Sequence, residues 1–64
     1  MGTTIARIYD IVTQKKGYEG RVKFAQKTGV SKNKALKIKD SEDNIRKFKI
    51  AAEEFIGENI DRLL

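Results

Sequence analysis

Apolar residues recur along this chain at helical intervals, and glycines at 17, 20, 29 and 57 fall between the periodic stretches. Spacings of three and four residues put side chains on one face of a helix, so each stretch predicts an amphipathic helix and not a strand. No proline interrupts them. Ile5, Ile8, Tyr9 and Val12 form the first stripe, with Thr3 or Thr4 placed to cap it and Lys15-Lys16-Gly17 placed to end it. After a Gly17-Tyr18-Glu19-Gly20 connection, a second segment is expected over Arg21 to Thr28, with Val22 and Ala25 facing inward and Gly29 as its stop. Ser31 caps a third, running to about Lys39. Ser41 followed by Glu42 and Asp43 starts the longest helix near Glu42, and Ile45, Phe48, Ala52, Phe55 and Ile56 carry its stripe to Gly57. Asn59 would cap a last turn bearing Ile60, Leu63 and Leu64, which either closes over the core or meets a second subunit. The expected fold class is all-α: a small single-domain bundle of four to five short helices over residues 1–64.

Sixty-four residues leave room for one domain and no deep cleft. The chain has no cysteine and no histidine, which removes disulfides, thiolate or imidazole metal sites, and Ser-His or Cys-His nucleophile pairs. Asp40, Glu42 and Asp43 lack the twelve-residue loop of a calcium site and read as helix caps. Glu53 and Glu54 are helix neighbours that point in different directions, a poor arrangement for paired acid and base work. The expectation is a protein that is not an enzyme and takes no cofactor, metal or small-molecule substrate. No apolar run approaches the roughly 18 residues of a membrane span, and Met1-Gly2-Thr3-Thr4 lacks the pattern of a signal peptide. An intracellular, cytoplasmic protein with no membrane partner is expected.

Charge is distributed unevenly. Residues 15–39 carry nine Lys or Arg against Glu19 alone, a net of +8, while residues 40–64 net −3 and the first fourteen cancel. A contiguous basic block is the footprint of a surface that meets a polyanion, although a solubilising face would look the same by charge alone.

Within that block, RVKFAQKTGVSKNKALKIKD meets the positional demands of two short helices joined by a tight turn. Ala25 supplies the small residue for close crossing, Gly29 accepts positive φ at the turn, Val30 plugs the core beneath it, and Ser31 caps the second helix. Ala35 and Ile38 return apolar groups to the inner face. At these residues, 21–40, the chain resembles the helix-turn-helix superfamily of DNA-binding proteins, and the Phe24-Ala25 then Thr28-Gly29-Val30-Ser31 run is similar to Cro and phage repressor-like domains. The resemblance implies a repressor-like binder of double-stranded DNA with the helix at 31–39 in the major groove. Lys32, Asn33 and Lys37 match the positions at base edges, where lysine donates to guanine and asparagine pairs with adenine. Arg21, Lys23, Lys27, Lys34 and Lys39 are candidates for phosphate contacts, which position without reading sequence. Two-fold operators make a homodimer the expected form. Two residues depart from the family pattern. Ala35 stands where a larger aliphatic is usual, and Leu36, at a position usually facing DNA, could touch a thymine methyl or belong to the core of a rotated helix.

Two other readings use the same residues. In one, Leu36, Ile60, Leu63 and Leu64 form a protein-interaction or homo-oligomerisation surface and the lysines only keep it soluble. In the other, exposed aromatics stack on bases of a single strand. Tyr9, Phe24, Phe48 and Phe55 fall on or near core stripes, which leaves Tyr18 as the one candidate for such a contact.

Overall fold

The computed structural model describes residues 3–64, and among them every regular element is a helix: α1 (Thr3–Thr28), α2 (Lys32–Ala35) and α3 (Glu42–Ile56). Three helices therefore replace the expected four to five. The first two expected helices form one element, because only Gly17 leaves helical geometry, at φ 77° and ψ −175°. That region is essentially closed to residues with a Cβ, so a single glycine accomplishes the change of direction that four residues were expected to make. Tyr18, Glu19 and Gly20 are already helical, and the second arm of α1 starts before Arg21. The expected last turn is present, with Asn59 Oδ1 accepting from Asp61 N at 2.8 Å.

The N-terminal cap is also supplied from an unexpected place. Thr4 lies inside α1, and the capping role expected of Thr3 falls outside the described side chains. Instead, Thr4 N donates to Asp40 Oδ2 at 3.1 Å, from 36 residues away. A carboxylate there satisfies a free backbone donor and complements the positive end of the helix.

α2 is much shorter than the expected run from Ser31 to Lys39. Ser31 caps it as anticipated, accepting from Lys34 N, but α-helical geometry ends at Ala35. Beyond it the bonds tighten to three-residue spacing, Lys37 N to Lys34 O at 3.0 Å and Ile38 N to Ala35 O at 3.1 Å. The inward residues explain this, because Ala35 is fully buried and Ile38 packs against the core, and side chains three apart eclipse one another in a 3₁₀ turn. α3 follows its expectation closely. Ser41 Oγ accepts from Asn44 N at 3.2 Å, and Gly57 closes the helix in the left-handed conformation with its N–H on Glu53 O.

The core gathers Ile5, Ile8, Tyr9, Ile11 and Val12 from the first arm of α1, Phe24 from the second, Ala35 from α2, and Phe48, Ala52 and Ile56 from α3. Aromatic rings occupy its centre: Phe24 meets Tyr9 edge-on at 4.9 Å between centroids and Phe55 at 5.8 Å, and Phe48 lies 6.0 Å from Tyr9. The Tyr9 hydroxyl donates to the backbone carbonyl of Val30 and lies 2.9 Å from Thr28 Oγ1, tying the first arm of α1 to the turn that launches α2. Ile60 is fully buried and Leu64 packs against the cluster, so the C-terminal turn closes over the core. Glu53 Oε2 accepts from Ile60 N at 3.2 Å, and ion pairs Lys15–Glu58 and Lys49–Asp61 fasten the same turn. Among the described residues no helix is long and apolar enough to cross a membrane.

Candidate nucleic-acid interface

Phe24 sets the register of the second arm of α1. With Phe24 fully buried, Thr28 one turn later also faces inward, and Val22, two residues before Phe24, is driven to the opposite side. Val22 is 41% exposed and not inward as expected, and Tyr18, one turn before it, is 71% exposed. Ala25 lies between these faces, partly buried, and Gly29 N bonds to its carbonyl at 2.8 Å. Gly29 then turns the chain at φ 74°, Val30 packs against the core, and Ser31 starts α2. The turn thus consists of Gly29, Val30 and Ser31, with Ala25 partly buried at its start.

The angle between this arm and α2 is an open groove of about 520 Å³. One wall carries Tyr18, Arg21, Val22, Ala25 and Gln26, and the other Ser31, Lys32, Asn33 and Lys34, with Gly29 at the join. Three cations line it and no acidic residue does. Of the expected base-contact residues, Lys32 and Asn33 line the groove, while Lys37 is exposed just beyond α2. Of the expected phosphate-contact residues, Arg21 and Lys34 line it, Lys39 is exposed on the following turn, and Lys23 and Lys27 lie outside it. Leu36 is 44% exposed, which resolves its alternatives in favour of solvent. It follows Asn33 by three positions, which puts the two on one side of the tightened turn, and the exposed Lys37 comes next in the chain.

Intramolecular ion pairs divide the basic block. Lys15 meets Glu58 and Lys27 meets Glu54, each at 3.5 Å, and Lys32 is held by Asp10 of the first arm. Lys16, Arg21, Lys23, Lys34, Lys37 and Lys39 form no ion pair among the described residues. Tyr18, the one aromatic that the sequence offered for a nucleic-acid contact, lines the groove together with Val22 and Gln26, which the sequence did not single out as contacts. The signal that could have found them is the Tyr18-Arg21-Val22 spacing of three and four, a second face on the same arm opposite Phe24.

The site offers hydrogen-bond donors and positive charge. Among the described residues no cluster of three or more acidic side chains is placed to hold a metal ion. Beneath the site, burial pushes the Tyr9 phenol above its ordinary value of 10.0, and the hydrogen bond with Thr28 partly opposes it. No family model matches the chain, and neither a curated protein nor a solved structure matches it.

Proposed function

We propose that the chain binds double-stranded DNA in a sequence-specific manner, as a repressor-like transcriptional regulator acting as a homodimer. The observation that carries this reading is the groove between the second arm of α1 and α2, which has cations on both walls, no acidic lining, and unpaired lysines continuing beyond it. The two helical segments and three-residue turn support a helix-turn-helix assignment. With α2 so short, the reading element is its exposed side: Asn33 to an adenine edge, Lys37 to a guanine, and Leu36 against a thymine methyl. Arg21, Lys34 and Lys39 hold phosphates on either side. One turn of helix gives a small contact area, and pairing two copies on a two-fold site compensates for it. The protein-interaction reading keeps Leu36 and Leu63, which are exposed, and loses Ile60, which is fully buried, and Leu64, which packs against the core.

Titration of the full chain with duplex DNA at several salt concentrations tests the proposal. Each phosphate contact steepens the dependence of log K on log salt by about 0.9. Lys34→Ala should weaken binding evenly across sequences and flatten that slope by about one contact, whereas Asn33→Ala should change the preferred sequence selected from a random duplex pool. Absence of binding at low salt would overturn the proposal.

A further inference from the structure

We infer that Tyr18, with Arg21, is a contact pair for the sugar-phosphate backbone of one strand entering the groove; the inference rests on the DNA-binding reading above. Tyr18 is the most exposed large hydrophobic side chain among the described residues, and it lines the groove beside Val22, one helical turn further on. The Arg21 guanidinium lies 6.0 Å from the centroid of its ring. A cation at that distance is attracted by the face of the ring, which limits the positions both side chains take before any partner arrives. Arg21 is half-buried, with its guanidinium over the Tyr18 ring and its donors open to a partner.

The chemistry of this wall matches a deoxyribose and its phosphate better than it matches base edges. Tyr18 and Val22 present a continuous apolar strip suited to the sugar face. The phenol hydroxyl and the guanidinium donors suit phosphate oxygens, and both groups commonly make such contacts. Asn33 and Lys34 on the opposite wall stand where the same strand passes on toward α2. A backbone strand seated along the first wall therefore fixes the depth at which the α2 side meets the bases. Tyr18 becomes a positioning residue of the interface, carrying no sequence information itself.

The experiment compares wild type, Tyr18→Phe, Tyr18→Ala, Arg21→Ala and the Tyr18→Ala, Arg21→Ala double variant for binding to a selected duplex and to an unrelated one, each across a salt series. Because Tyr18 is exposed, its variants should keep the wild-type circular dichroism spectrum and urea midpoint, which are measured alongside. Tyr18→Ala is expected to lose about tenfold in affinity for both duplexes with an unchanged salt slope, since the residue is neutral. Tyr18→Phe should lose a smaller factor, reporting the hydroxyl. Arg21→Ala should flatten the slope by about one contact, and the double variant should lose less than the sum of the singles, because Arg21 is held by the ring. If Tyr18→Ala binds both duplexes as wild type does, the inference fails while the DNA-binding proposal stands. If Tyr18→Ala changes which sequence is preferred, the ring touches bases and the backbone assignment fails. If wild type binds no duplex at low salt, the underlying proposal fails and this inference with it.

Discussion

At the scale of single residues, Tyr9 joins the packing of the molecule to its candidate site. Its ring lies at the centre of the aromatic cluster, and its hydroxyl reaches the Val30 carbonyl inside the turn. Removing the hydroxyl by Tyr9→Phe keeps the ring packing and takes one of two donors from the part-buried Val30 carbonyl, which Thr28 Oγ1 also approaches at 3.2 Å, at a cost of about 1 kcal/mol. The same hydroxyl makes stability depend on alkaline pH. Burial raises the phenol pKa in the folded chain, so as pH rises the unfolded chain gives up this proton first. The contribution is complete below the unfolded value near 10 and is lost as pH climbs through the higher folded value. Urea midpoints measured from pH 7 to pH 11 should fall more steeply above pH 10 for wild type than for Tyr9→Phe, lysine titration being common to both. Equal slopes in the two proteins would refute the role given to Tyr9. The Ile5, Ile8, Tyr9, Val12 stripe was plain in the sequence because an unbroken period reports only one thing, the buried face. The hydroxyl bridge was not, since it depends on where a turn nineteen to twenty-one residues later comes to rest.

At the scale of elements, the informative places are those where a helical pattern meets a glycine. Glycine punctuation was legible at 29 and 57, where the helices end. At 17 the same sign marked a break inside one element, a distinction that sequence periodicity does not make, because helix resumes at Tyr18 in a new register. Val22 was misplaced for this reason: its face is set by the burial of Phe24, and spacing from the first stripe says nothing about it. The short α2 was illegible for a different reason, since an inward pair three apart fits either an α-helix or a tight turn until the surrounding core decides. The break also explains Gly20. A Cβ added there would lie 2.2 Å from Lys16 Cβ and 3.7 Å from the Phe55 ring, whereas side chains four apart in an uninterrupted helix stand about 5–6 Å apart. Gly20→Ala is therefore expected to destabilise the protein by about 1–3 kcal/mol despite alanine's better helix propensity. Thermal or urea unfolding checks this, and an alanine variant as stable as wild type would mean that the two arms of α1 do not meet at the angle described.

At the scale of the whole molecule, acidic residues outside the groove determine how much of the basic block is left for a partner. Asp10 lies on the first arm of α1, yet its carboxylate holds Lys32 on the far wall of the groove, while Glu54 of α3 holds Lys27 outside it. Both pairs are solvent-exposed on at least one side, so each contributes at most about 1 kcal/mol to stability and breaking either should leave the fold intact. Their effects on DNA binding should differ. Asp10→Asn releases Lys32 into the groove and should tighten duplex binding several-fold, with a salt slope steeper by up to about 0.9. Glu54→Gln raises the net charge by the same amount but frees a lysine that does not line the groove, and should change affinity little. Because the two variants have equal net charge, the comparison separates the position of a cation from the overall field of the protein. Equal gains in both would show that binding responds to total charge alone, and the groove would lose its claim to be the interface. A gain confined to Asp10→Asn would place Lys32 at the DNA and identify its ion pair as a competitor that salt and DNA both weaken.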